Sequence, residues 1–223
     1  DYATEFTITG GEGYQFSGIT FRGDVNVTFD NAIIKTSLYA LEDATINFEG
    51  NNKVNAILGT KDDKIHYNVK AGSFLDMTYG KLWANVNMYG NSNISFAEVG
   101  DAAYGNNIYM YGVTLAETTA INGANVLFVE GANEVNGATI NAKDFDVAES
   151  VTVEVTGNST IKSSLTEGYS DIAGTLNVAT TETVHFARLN ISGSIVNNNS
   201  TIIVGTFNNE STGKIVLTKD AKV

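Results

Sequence analysis

One phrase recurs along this chain and constrains its fold more than any other feature. It reads apolar, polar, apolar, one further residue, glycine, then a polar turn and another apolar residue. Ile46-Asn47-Phe48-Glu49-Gly50 leads through Asn51-Asn52-Lys53 to Val54, and Val86-Asn87-Met88-Tyr89-Gly90 leads through Asn91-Ser92-Asn93 to Ile94. Leu127 to Val135 and Val153 to Ile161 restate it. Alternation of apolar and polar residues in short runs bounded by Gly, Asn, Asp and Ser is the pattern of half-buried strands. A strand, a turn and a strand restated at a fixed period describe a chain that winds.

The triplets fall at Val25-Asn26-Val27, Ile46-Asn47-Phe48, Tyr67-Asn68-Val69, Val86-Asn87-Met88, Ile108-Tyr109-Met110 and Leu127-Phe128-Val129. They continue at Val153-Glu154-Val155, Leu176-Asn177-Val178, Ile195-Val196-Asn197 and Ile215-Val216-Leu217. Their spacing is roughly 20 residues, as expected of a solenoid repeat. The longest step, Val129 to Val153, contains a further strand-like piece, Ala138 to Ala142. Helical periodicity is absent, although Ile34 to Leu41 and Val99 to Tyr104 could each form one short turn. The expected fold is all-β: a right-handed parallel β-helix of about 10 coils of roughly 20 residues, two or three strands per coil. It forms a single domain over residues 1–223. An antiparallel sandwich would show similar turn signals, but it does not require alternate strands to restate one phrase.

Composition narrows the function. The chain has 13 Lys+Arg against 25 Asp+Glu, a formal net charge of -12. That balance disfavours nucleic acid and anionic membrane surfaces. No apolar run reaches the roughly 18 residues of a membrane-spanning helix. There is no cysteine, so neither a disulfide framework nor a cysteine metal site is expected. There is no proline, consistent with a chain spent on hydrogen-bonded strands. The opening residues carry no basic start and no apolar core, so no signal peptide is read there. A segment of a longer secreted chain is expected, and the ends are expected to continue or to stack between subunits.

Strand parity sorts inward from outward residues. Ile46, Phe48, Val86, Met88, Ile108, Met110, Leu127, Val129, Val153 and Val155 are expected in the core. One outward row reads Asn47, Asn68, Asn87, Tyr109, Phe128, Glu154. The next reads Glu49, Lys70, Tyr89, Tyr111, Glu130, Thr156. Tyr89, Tyr109, Tyr111 and Phe128 are thereby expected as one exposed aromatic patch, a surface suited to sugar rings or a protein partner. The bland alternative is sheet-surface packing between cross-strand aromatics.

Catalytic patterns are weak. Asp62-Asp63 with His66 reads as a charged turn, and Glu182, His185 and Arg188 are too loosely spaced on a strand to share a face. The calcium repeat is approached only at Gly10-Gly11-Glu12-Gly13, which lacks the aspartate. No catalytic residue, cofactor or metal ligand is assigned. Thr28, Thr45, Thr139, Thr160 and Thr175 are not expected at one coil position, against a flat threonine ladder of the ice-binding kind.

The phrases Val153-Glu154-Val155-Thr156-Gly157-Asn158-Ser159-Thr160-Ile161 and Ile191 to Ile202 resemble bacterial autotransporter passengers and related β-helical surface adhesins. The resemblance is one of repeat style and covers most of the chain. It implies a right-handed β-helix at or beyond a bacterial surface, acting in adhesion, self-association or as a spacer. The partner would be a glycan or a surface protein. The alternative is a β-helical polysaccharide-binding or polysaccharide-degrading protein, a lyase or hydrolase.

Overall fold

A computed structural model describes residues 5–10, 15–16, 18–59, 64–82, 84–94, 96–98, 107–218 and 220–223. Among these the chain is all strand, and no helix long and apolar enough to cross a membrane occurs. Every strand ladder is parallel. The strands stack as a β-solenoid of about 9 turns of roughly 20 residues, one fewer than the triplet count suggests. Each full turn carries three strands on three faces. In one turn these are Asn125–Glu130, Ala132–Asn136 and Thr139–Ala142, followed in the next by Asp144–Val147, Thr152–Thr156 and Thr160–Ser163. The segment Ile34 to Leu41 is strand and corner, with Ile33–Ile34 and Leu38–Ala40 as its strands. Val99 to Tyr104 lies outside the described residues.

The core is a set of stacked rungs. On the first face one inward column runs Val27, Ile46, Tyr67, Val86, Ile108, Val126, Phe145. The next runs Phe29, Phe48, Val69, Met88, Met110, Phe128, Val147, Ile172, Ile191. All are buried. Successive turns lie about 4.8 Å apart, so each rung covers the one below. Removing that apolar area from water stabilises the rod at about 25 cal/mol per Å².

The recurring phrase has a structural reason beyond a turn. The polar residue two places after the glycine points inward at the corner. Asn52 and Asn133 are buried there. Asn52 Oδ1 accepts from the Ala32 N–H at 2.9 Å while its Nδ2 donates to the Glu49 carbonyl at 2.7 Å. Asn133 repeats this with the Val113 N–H at 2.9 Å and the Glu130 carbonyl at 3.1 Å. Ser73 Oγ accepts from the Gly50 N–H at 3.1 Å. A corner lifts backbone groups off the ladder, and a buried N–H without a partner costs about 1–3 kcal/mol. We therefore expect Asn133→Ala to cost about 1–2 kcal/mol, read as a lower urea midpoint. An unchanged midpoint would mean the corner amide is not structural. Gly131 holds a φ of 78°, and a Cβ there would lie 3.2 Å from Gly112 Cα in the turn below, so glycine serves both torsion and contact. After Val86–Tyr89 the left-handed residue is Asn91, φ 50°, rather than Gly90.

The phrase occurs on more than one face. Leu127-Phe128-Val129 ends a first-face strand, but Val153-Glu154-Val155 lies on the second face, as do Leu176, Ile195 and Ile215. The long step between Val129 and Val153 marks that change of face. Glu154 and Thr156 therefore leave the expected outward rows. The triplet at Val25 is displaced by two, since Val27 pairs with Ile46. Ile215 and Leu217 stand exposed on the last strand. Thr139 and Thr160 do share one position, in a column continued by Thr183 and Thr201. The adjacent column reads Asn141, Lys162, His185, Ile203, so the face is not a regular threonine array.

Candidate functional site

The first face is ruled by one outward column: Thr7, Thr28, Asn47, Asn68, Asn87, Tyr109, Leu127, Asp146, Asp171, Asn190, Asn208. Asn68 donates to Asn47 at 3.1 Å and Asn87 to Asn68 at 2.9 Å. At the other end Asn208 donates to Asn190 at 2.6 Å and Asn190 to Asp171 at 2.8 Å. Stacked amides satisfy one another turn by turn, as in cross-β ladders. The column breaks at Tyr109 and Leu127. There the rod is unlike itself, and the site is built around the break.

Tyr89, Tyr109 and Tyr111 face outward, half-buried, as expected. Tyr89 and Tyr111 lie in adjacent turns, with ring centroids 5.0 Å apart and planes 18° from parallel. Asn107 Nδ2 donates to the Tyr109 hydroxyl at 2.9 Å and steadies that ring. Phe128 is a correction. It is 1 % exposed and packs on Phe145, centroids 5.3 Å apart, inside the core. Leu127 and Val129, expected in the core, take the outward positions. The cause is a register shift between Met110 and Tyr111. Met110 pairs with Phe128, but Tyr111 pairs with Glu130. Val129 is the extra residue of a β-bulge, so the glycine alignment holds while parity upstream of it inverts.

Beyond the bulge the next two turns carry short side chains, Asp146, Ala148, Asp171 and Ala173. Tall tyrosines beside short residues leave a groove of about 430 Å³, lined by Tyr109, Tyr111, Leu127, Val129, Asp146 and Asp171. A second depression of about 260 Å³ shares Tyr111 and adds Tyr89 and Glu130. Burial, then the neighbouring Tyr89 and Tyr109 hydroxyls and Glu130, raises the Tyr111 pKa.

Asp146 was not singled out by the sequence reading. Burial first, then Asp144 and Asp171, pushes its carboxyl from 3.8 up to about 7, although the Asp171 N–H donates to it at 2.8 Å. Asp144 is also raised, mainly by burial, with the Asp171 charge adding to it. Asp144 Oδ1 accepts from the Phe145 N–H at 2.8 Å and from Ser170 Oγ at 2.9 Å. The alternation Asp144-Phe145-Asp146-Val147 carried the signal for both outward carboxyls.

Lys61, Asp62 and Asp63 lie outside the described residues, as does most of Gly10 to Gly13. Arg188 donates to the Gly168 carbonyl at 2.6 Å and sits 4.6 Å from the Tyr169 ring. It belongs to the first-face half of Thr183–Ile191, whereas His185 belongs to the half that pairs with the third face. No group of three or more His, Cys, Asp or Glu side chains suited to a metal occurs among the described residues. In comparisons with protein families, curated proteins and solved structures, nothing matches this chain.

Proposed function

We propose that this chain is a non-enzymatic β-solenoid of the adhesin kind, displayed at or beyond a bacterial surface, that binds a partner along its first face. The observation that carries the reading is the break in the amide column, where Tyr109 and Leu127 replace asparagine and open an apolar groove. Repetitive polar columns need no such interruption for stability, and a concave apolar surface with few polar groups is the usual form of a binding site. The rest of the rod then serves as scaffold and spacer.

Retention of the purified protein on immobilised glycans and matrix proteins tests this. Tyr109→Ala with Tyr111→Ala should lower retention at least tenfold, since truncating central aromatic anchors typically costs 2 kcal/mol or more, roughly 30-fold. Tyr39→Ala with Tyr79→Ala should change little, although these rings are 52 % and 73 % exposed on other parts of the rod. Equal retention of both variants and the wild type would end the groove reading.

The second reading, a polysaccharide hydrolase or lyase, draws on Asp146, whose carboxyl near 7 suits a general acid. Against it, the neighbouring Asp144 carboxyl is already held by the Phe145 N–H and Ser170 Oγ, and Asp146 by the Asp171 N–H. An anionic polysaccharide also meets a chain of net charge -12. Release of reducing ends or unsaturated products, abolished by Asp146→Asn, would favour the enzyme.

A further inference from the structure

We propose that the groove takes a basic peptide segment of a partner protein, with an Arg or Lys side chain set between the tyrosines and Asp146 and Asp171 and an adjacent apolar residue over Leu127 and Val129. This rests on the groove reading above and names its ligand. The charged groups lining the groove are Asp146 and Asp171. Glu130 lines the adjoining depression. Asp144, on the same strand as Asp146, lies within the same cluster of negative charge. No Lys or Arg occurs among the described lining residues of either hollow.

Burial first, and then the charges of Asp144 and Asp171, disfavour the ionised Asp146 carboxyl, and a cation delivered by the ligand offsets both. The tyrosine faces add attraction for the same cation, and guanidinium stacks on tyrosine well. The protein already uses this chemistry once, where Arg188 lies over Tyr169. Net charge of -12 steers a basic partner toward the rod and an acidic one away. The apolar floor excludes a bare hydrated ion as the best fit, consistent with the lack of a metal-holding group among the described residues.

Acid weakens the complex. The titratable groups around Asp146 are Asp144 on its own strand, Asp171 on the next turn, and Tyr109 and Tyr111 on the strand two turns before. As pH falls below about 7, Asp146 gains a proton and one of the two lining carboxylates of the groove is lost.

Fluorescence anisotropy with labelled Gly-Arg-Leu-Arg-Gly, Gly-Gln-Leu-Gln-Gly and Gly-Glu-Leu-Glu-Gly peptides at 0.15 M salt tests the proposal. The Arg peptide should bind at least about tenfold tighter than the Gln peptide, the scale of one charge-assisted hydrogen bond. Asp171→Asn should cut Arg-peptide affinity about tenfold and leave the Gln peptide unchanged, with Asp171→Glu restoring most of it. Lowering pH from 8 to 5.5 should weaken the Arg peptide several-fold. Arg and Gln peptides bound equally, both lost with Tyr109→Ala, would overturn the basic-ligand inference and leave the groove standing. Arg-peptide binding that persists in Asp171→Asn and Tyr109→Ala would also overturn it, as attraction to net charge alone. No binding of any peptide, with glycan retention still dependent on the tyrosines, would replace the peptide by a sugar. Loss of that retention too would remove the groove reading itself.

Discussion

Phe128→Ala should lower the stability of the rod by about 3–5 kcal/mol, the cost of truncating a buried aromatic and leaving a cavity. Phe128 is closed over by Phe145, whose ring in turn meets Phe186 edge-on at 5.9 Å, so three successive turns share the loss. The corresponding cut on the outer side, Leu127→Ala, should cost under about 1 kcal/mol, because little burial is lost at a half-exposed site. Urea unfolding of the two variants reads the orientation of the strand directly. A small effect at Phe128 with a large one at Leu127 would restore the parity expected from sequence and remove the bulge. Solenoids unfold through nearest-neighbour contacts, so the loss could appear as a separate early transition in the middle of the rod.

The second large effect concerns pH. Asp146 has a native pKa of about 7 against 3.8 in an unfolded chain, so the native state holds this proton more tightly. Its contribution to stability is full below about pH 4, declines as pH rises, and is lost once pH passes about 7. A shift of about three units corresponds to about 4 kcal/mol. Partial exposure screens it, and we expect about 2–3 kcal/mol. Asp146→Asn keeps the shape and removes the titration. The variant should match the wild type at pH 4 and exceed it by about 2–3 kcal/mol at pH 8.5. Parallel stability profiles of the two proteins across that range would show that Asp146 ionises as freely as in an unfolded chain.

The fold was legible in the sequence because a solenoid writes its geometry as a repeat. Period-2 runs with glycine at fixed offsets identified strands and corners, and parity correctly placed Ile46, Phe48, Val86, Met88, Ile108 and Met110 inside. Tyr89, Tyr109 and Tyr111 followed from the same rule. What was lost had two physical causes. A bulge adds one residue without changing local composition, so Leu127-Phe128-Val129 reads equally well in either parity, since all three are apolar. A corner after one face and a corner after another make the same demands, a left-handed torsion and an inward polar side chain. Gly131-Ala132-Asn133 and Gly157-Asn158-Ser159 therefore look alike while serving different faces. The acids at 144, 146 and 171 escape notice for this reason: the phrase passes to the second face at Val153, so their two strands go uncounted on the first face.

The bulge at Val129 has a wider consequence. A rod assembled from equivalent turns presents the same surface at every height, and a partner meeting it would have no reason to stop at one level. One surplus residue, absorbed locally while the glycines on either side stay in step, ends that equivalence. It gives a translationally uniform object a single address, and it does so without disturbing the stacking above or below. In a lineage of such rods, moving, adding or deleting that one residue would relocate or erase the address at little cost to the fold.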